Sequence, residues 1–90
     1  MQGNEYTHIS TGVTTNIGLG TNRICLKAIT VNTTAAGSIT VKDGSGTVAI
    51  LKASIAEGSY IFGLEGIVLS QGCTIVTAAA SDITVCWSNL

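Results

Sequence analysis

The stretch RICLKAITVNTTAAGSITVKDGSGTVAILKAS, residues 23–54, decides the fold class of this chain. Three runs within it are rich in Val, Ile and Thr, whereas Gly, Ala, Ser and Asn fill the two gaps between the runs. β-Branched side chains pack well on pleated sheets, and Gly, Asn and Ser favour tight reversals of the chain. The stretch therefore predicts three consecutive strands joined by two turns.

The rest of the chain continues this pattern on both sides of the stretch. Residues 5–10 read as a first strand, and a short strand is expected near Val13 before a polar, Gly-rich loop. Residues 53–59 read as a loop because Gly58 would end a helix early. Further strands are expected at residues 60–62, 67–69, 73–77 and 83–88, the last two forming a hairpin.

The predicted fold is all-β, with about eight short strands and no substantial helix. Short strands at regular spacing with Gly-rich connections are typical of an antiparallel sandwich or barrel. We predict a single antiparallel β-sandwich with a jelly-roll-like topology. Residues 1–22 would form an N-terminal strand and a polar arm or loop, and residues 23–90 the sandwich body, in one domain overall.

Alternation of apolar residues predicts the core. In residues 23–32 the phase is ambiguous because apolar side chains occupy both faces, so a β-bulge or burial on both faces is expected. The sequence Asp43-Gly44-Ser45-Gly46 predicts a hairpin turn. The residues expected in the core lie on the apolar phase of their strands: Ile39, Val41, Val48, Ile50, Phe62, Ile83, Val85 and Trp87.

Composition limits the classes of partner. The chain has four basic and five acidic residues, eleven Gly and no Pro, and 46% of its residues are hydrophobic. Four basic residues cannot form the phosphate-binding stripe of a nucleic-acid-binding protein. Independently soluble surfaces usually carry about 25 to 35% charge, whereas 10% of this chain is charged. The surface is therefore suited to lying against other protein, and a domain this small is marginal as a monomer.

Compartment is indicated by the N-terminus and the cysteines. MQGNEYTHIS lacks the basic start and apolar core of a signal peptide, and no run has the roughly 18 apolar residues of a membrane span. We expect synthesis and folding in a cytosol, with no membrane partner. Cys25, Cys73 and Cys86 are odd in number and lack metal or redox spacing, so they are predicted to be buried small hydrophobes. A Cys25–Cys86 or Cys73–Cys86 bridge stays open.

Candidate catalytic and metal-binding residues do not combine into a site. His8 is the only histidine, and one imidazole without a nucleophile or second ligand makes no catalytic or metal set. Glu57 and Glu65 read as solvated loop charges. Asp43-x-Ser45 opens like a calcium loop, but Val48 and Ser54 stand where that loop needs Gly and Glu. We predict no catalytic residue, no cofactor site and no metal site, and therefore no enzyme.

Aromatic residues are the other candidates for a binding site. Tyr60, Phe62 and Trp87 could form a platform for a sugar or a base, but their alternating positions in strands favour a place in the core. Gly18-Leu19-Gly20 neither follows a firm strand nor opens a helix, so it is not a phosphate-binding loop.

Four segments resemble the small all-β virion proteins of tailed bacteriophages. They are ITVNT at residues 29–33, ITVKDG at 39–44, GCTIVTA at 72–78 and DITV at 82–85, and the resemblance covers most of residues 23–88. It implies a jelly-roll-like sandwich that decorates or cements the capsid, commonly as a trimer, or that serves in a tail or head fibre. The polar residues 1–21 are less similar and would be an arm that reaches a neighbour.

The resulting functional expectation is a structural virion protein that stabilises the head of a tailed phage. It would be a capsid decoration or cement protein that bridges neighbouring subunits of the major capsid protein. It would form a homo-oligomer, most simply a trimer. It would lie on the capsid surface after synthesis in the host cytoplasm. The alternative is a tail or head-fibre component, including a carbohydrate-binding adhesin. Exposed aromatic residues in a cluster would favour the adhesin.

Overall fold

Nine β-strands make up the regular structure of the part of the chain that can be described. A computed structural model describes residues 4–18, 23–63 and 65–89, and within these ranges it contains no helix. The strands are β1 (Glu5–Ile9), β2 (Thr14–Ile17), β3 (Ile24–Thr33), β4 (Ile39–Asp43), β5 (Gly46–Leu51), β6 (Gly58–Ile61), β7 (Ile67–Leu69), β8 (Cys73–Thr77) and β9 (Asp82–Asn89).

The strands form two antiparallel sheets. The first sheet has the order β1-β9-β3-β6, and β7 also pairs with β3. β6 pairs with the second half of β3 and β7 with its first half, so together they form one interrupted edge. The second sheet has the order β2-β8-β4-β5. The predicted all-β, antiparallel, sandwich-like fold is confirmed, and the jelly-roll-like topology stays a prediction.

A bulge in β3 resolves the ambiguous phase of that strand. The register against β9 shifts between Leu26 and Ala28, so Lys27 is the extra residue. Ile24 and Leu26 before the bulge and Ile29 and Val31 after it therefore all face the core, where each is at most 2% exposed. The predicted bulge is confirmed, and it explains how a ten-residue strand buries apolar residues of both sequence phases.

The predicted burial of Val48 and Ile50 in β5 is wrong. A register shift between Val41 and Lys42 places Ala49 opposite Val41 and Leu51 opposite Ile39. Ala49 and Leu51 pack against the core, whereas Val48 is 45% and Ile50 62% exposed. The reason is that the run TVAIL is apolar on both faces, so its phase is set by the partner strand and not by its own alternation.

The predicted final hairpin is also wrong, although both of its strands exist. β8 pairs with β2 and β4 in the second sheet, and β9 pairs with β1 and β3 in the first sheet. Residues 78–81 therefore cross from one sheet to the other. Local sequence cannot distinguish a hairpin loop from a crossover between sheets here, because both use the same small and polar residue types. The predicted hairpin between β4 and β5 is confirmed, with Asp43 paired to Gly46 and Gly44 at φ 61°.

The core lies between the two sheets. It includes Ile39, Val41, Ile83, Val85 and Trp87, as predicted, while Tyr60 and Phe62 are partly buried against it. Both N-terminal strands belong to the same structure. β1 is an edge strand of the first sheet and β2 an edge strand of the second, so residues 5–17 contribute to both layers. Residues 1–3 and 19–22 of the expected arm and loop lie outside the described residues.

Candidate interaction surface

The outer face of the first sheet carries an apolar row that crosses all four strand positions. Tyr6 of β1 pairs with Cys86 of β9, Cys86 pairs with Ala28 of β3, and Ala28 pairs with Ile61 of β6. Strand alternation points these side chains away from the core, because their neighbours Val85, Trp87 and Ile29 point inward. We call Tyr6, Cys86, Ala28 and Ile61 the apolar row.

The two ends of the apolar row are widely exposed. Tyr6 is 68% and Ile61 74% exposed, and Cys86 and Ala28 between them are half-buried. Val68 of β7 lies on the same face, opposite Cys25, and is also exposed. A large apolar side chain exposed singly is ordinary, but three of them on one sheet face are typical of an interaction surface.

A polar row lies directly beside the apolar row. His8, Thr84, Thr30 and Ser59 are paired across the same four strands. The Thr30 and Ser59 hydroxyls are hydrogen-bonded at 3.0 Å. The face therefore combines an apolar strip with a strip of hydroxyl and imidazole groups, which is the arrangement of an apolar interface centre next to a polar rim.

His8 and Thr84 of the polar row also belong to a hydrogen-bonded network around Asp82 and Asn32. His8 Nε2 lies 2.7 Å from Asp82 Oδ1, and Asn32 Nδ2 donates to the same oxygen at 3.0 Å and to Thr84 Oγ1 at 3.1 Å. The hydrogen bond to His8, followed by that to Asn32, holds the pKa of the Asp82 carboxyl below its ordinary value. These contacts tie β1, β3 and β9 together at one end of the sheet.

Charge on this outer face is sparse. Among the described residues, one contact between a basic and an acidic side chain is found, that of His8 with Asp82. Lys27, half-buried at the β3 bulge, adds a basic group near Gly66. A weakly charged face loses little hydration when it is covered by another protein, which favours binding through area over steering by charge.

The loop residues Glu65 and Gly66 cover Cys25 at the β7 side of the face. The Cys25 thiol donates a hydrogen bond to the Glu65 carbonyl at 3.2 Å. A Cβ atom at position 66 would lie 2.6 Å from Cys25 Sγ and 2.7 Å from the Leu26 carbonyl oxygen, and Gly66 has a φ of 90°. Only glycine allows this close approach without displacing the loop.

All three cysteines are free in the structure. Cys25 and Cys73 are buried, as predicted, whereas Cys86 is half-buried within the apolar row. Burial, and secondly the charge of Asp43, raises the pKa of the Cys73 thiol to about 12. A neutral thiol in this position packs as a small hydrophobe. Neither of the two bridges left open by the sequence is present.

Asp43 and Glu57, two further residues considered from the sequence, make local contacts with the backbone. Asp43 accepts a hydrogen bond from the Gln71 backbone N–H at 2.7 Å, which fits a turn residue. Glu57 lies near the Thr34 backbone N–H, in a loop.

In residues 4–18, 23–63 and 65–89, no three His, Cys, Asp or Glu residues are grouped as metal ligands would be. The same ranges hold no helix able to cross a membrane.

The sequence alone does not identify Tyr6, Ile61 and Val68 as surface residues. Tyr6-x-His8 in the first strand is nevertheless an alternation that puts both side chains on one face. Ile61 lies between Tyr60 and Phe62, whose alternation toward the core puts Ile61 on the outer face, but its place beside Ala28 follows only from the pairing of β6 with β3.

No protein-family model matches the chain, and neither a curated protein nor a solved structure matches it.

Proposed function

We propose that this chain is a structural protein of a tailed-phage particle, without enzymatic activity, that binds the outside of the head and bridges neighbouring subunits of the major capsid protein. The observation that carries the proposal is the apolar row, whose ends Tyr6 and Ile61 are exposed on a weakly charged sheet face. The resemblance of residues 23–88 to small phage virion proteins supplies the class of partner.

The mechanism is burial of area and not chemistry. Stable protein interfaces bury about 800 Å² on each partner, with an apolar centre and a polar rim. The apolar row would supply the centre, and the His8, Thr84, Thr30 and Ser59 row would supply hydrogen-bonding groups at the rim. A protein that contacts two capsid subunits at once raises the free energy needed to separate them, because separation must also break one of its two contacts.

The strand order supports a jelly-roll topology for this sandwich. When β6 and β7 are counted as one edge strand, the pairs β1 with β9, β2 with β8, β3 with β6 and β7, and β4 with β5 are nested from the termini to the middle of the chain. Jelly rolls have eight strands in two sheets, and virus coat proteins use them widely. We assign this topology as part of the proposal.

Assembly and location complete the proposal. The protein would act as a homo-oligomer, a trimer by the resemblance, on the capsid surface of the virion after synthesis in the host cytoplasm. Neither nucleic acid nor a membrane would be a partner. The low charge of the chain supports contact with protein in preference to a phosphate backbone.

The second candidate is a tail or head-fibre component, including an adhesin that binds carbohydrate. It draws on one observation, namely that Tyr6 lies beside the polar network of His8, Asp82 and Asn32. A sugar-binding platform normally needs several exposed aromatic rings. Among the described residues Tyr6 is widely exposed, whereas Tyr60 and Phe62 are half-buried and Trp87 is buried, so the capsid role is preferred.

A binding assay with particles that lack this protein tests the proposal. Purified wild type should co-sediment with the particles, and the double variant Tyr6→Lys/Ile61→Lys should lose most of that binding because it places charges at both ends of the apolar row. Ser45→Lys, an exposed change at the tip of the β4–β5 hairpin, is the matched control and should bind like wild type. Wild-type protein that does not bind the particles would contradict the capsid role.

A further inference from the structure

The two edges of the second sheet lack the charges that commonly protect open strands. β2 (TTNI) and β5 (GTVAIL) contain no Asp, Glu, Lys, Arg or His. In the first sheet, β1 carries Glu5 and His8, and the opposite edge is interrupted between β6 and β7. Native proteins protect open edges with charges, interruptions, bulges or very short strands, because an open strand is a template for pairing.

Exposed apolar side chains lie at both of these uncharged edges. Val48 and Ile50 are 45% and 62% exposed on β5, and Val13, directly before β2, is 43% exposed. The Val13 backbone is held in place because its N–H donates to Thr77 Oγ1 at 3.0 Å and its carbonyl accepts from the Thr77 N–H at 2.9 Å. The β5 edge thus has two exposed apolar side chains, and the β2 edge has one beside it.

The directions of the strands allow these two edges to join. β2, β8, β4 and β5 are antiparallel in succession, so β5 runs opposite to β2. A second copy in the same orientation would place its β2 antiparallel beside β5 and continue the sheet without a break in the pattern. The bulge at the β4–β5 pair affects one end of β5, whereas Ala49–Leu51 pair regularly with Ile39–Val41.

We propose that β5 of one copy pairs with β2 of a second copy, so that the second sheet continues from copy to copy. A head-to-tail contact of this kind covers both uncharged edges with one interface, whereas a twofold β5-to-β5 contact would leave β2 open. The occupant of the β5 edge is therefore a second copy of this chain. This inference does not rest on the proposed function.

Single charges at the two edges test the contact in solution. Sedimentation velocity of the wild type at about 100 µM should give a species heavier than a monomer, whereas Ile50→Lys and Val13→Lys should each give smaller species. Ile61→Lys on β6 of the other sheet, a change at a more exposed isoleucine, is the matched control and should sediment like wild type. Circular dichroism melting should show that all variants are folded.

Mixing the two edge variants identifies which edges meet. Ile50→Lys retains an intact β2 edge and Val13→Lys retains an intact β5 edge, so an equimolar mixture should form a dimer containing one copy of each and nothing larger. A β5-to-β5 contact predicts instead that Val13→Lys assembles alone and that mixing changes nothing. Three results would each overturn the proposal. The first is a monomeric wild type, and the second is an Ile61→Lys control that dissociates while Ile50→Lys does not. The third is a mixture in which no mixed dimer forms.

Discussion

Trp87 Nε1 donates a hydrogen bond to the hydroxyl oxygen of Thr7 at 3.0 Å. The two residues are diagonal neighbours on the core face of β9 and β1, because Trp87 is paired with Glu5 and Thr7 with Val85. Trp87 is 8% exposed, so its indole N–H would be largely desolvated without this partner. This side-chain contact thus links β9 to β1, and the buried Trp87 side chain extends the core toward the β1 edge of the sheet.

Removing the Trp87 side chain should destabilise the domain strongly. Trp87→Ala should lower the free energy of unfolding by roughly 3 to 5 kcal/mol, a large share of the total for a small domain. Urea unfolding measures the change. A soluble Trp87→Ala protein with the wild-type melting temperature would show that this residue is not part of the core.

The hydrogen bond itself can be tested separately. Thr7→Val keeps the size of the side chain and removes the acceptor of the Trp87 N–H, so we expect a loss of about 1 to 3 kcal/mol from the unpaired donor. Thr33→Val, at the exposed end of β3, is the matched control and should change stability by less than about 0.5 kcal/mol. Equal effects of the two changes would contradict the role assigned to Thr7.

Gly66 should not tolerate alanine. The added Cβ would lie under 3 Å from both Cys25 Sγ and the Leu26 carbonyl oxygen, at a φ that L residues rarely adopt. We expect Gly66→Ala to cost at least about 1 to 3 kcal/mol. Gly46→Ala is the control, because its nearest contact would be the Asp43 carbonyl oxygen at 3.6 Å. A Gly66→Ala protein no less stable than Gly46→Ala would rule out the close approach.

Acid should weaken the fold through Asp82. The folded-state pKa of this carboxyl is lowered, mainly by His8 and then by Asn32, so its contribution to stability is complete above its unfolded value near 3.8. That contribution is lost as the pH falls through the folded pKa, because the unfolded chain then binds the proton more readily. Melting temperatures between pH 2 and pH 6 should therefore fall less steeply for Asp82→Asn than for wild type. Parallel curves would contradict the network.

Thiol chemistry should distinguish the three cysteines. Added reductant should leave the melting temperature unchanged, since all three thiols are free. At pH 8 an alkylating reagent should modify Cys86 first, because Cys25 is buried and the pKa of Cys73 is about 12. Mass spectrometry of the native protein over time gives the order. Modification of Cys73 before Cys86 would contradict the structure.

Local sequence was sufficient for the strands and insufficient for their faces. Alternation predicted the buried Ile39 and Val41 of β4, where polar residues separate the apolar ones. In β5 every residue from Val48 to Leu51 is apolar, so only the pairing with β4 determines that Leu51 faces inward and Ile50 outward. Strand phase becomes readable from sequence when one face is polar, and not otherwise.

The candidate surface was harder to predict because it depends on long-range pairing. Tyr6 and Ile61 are far apart in sequence, and they share a row only because β9 and β3 lie between their strands. β8 and β9 lie in different sheets, which the turn residues between them did not reveal. This separation places β9 beside β1. The resemblance to phage virion proteins indicated a binding protein but not which face binds.

A three-dimensional reconstruction of the particle would show directly whether this protein binds a phage head and through which face. We expect copies of this sandwich over the whole head, at junctions between capsid subunits, with Tyr6 and Ile61 against the capsid protein. The capsid role would be contradicted by density for the protein only at the tail or in fibres. The role of the apolar row would be contradicted by copies bound through another face, with Tyr6 and Ile61 in solvent.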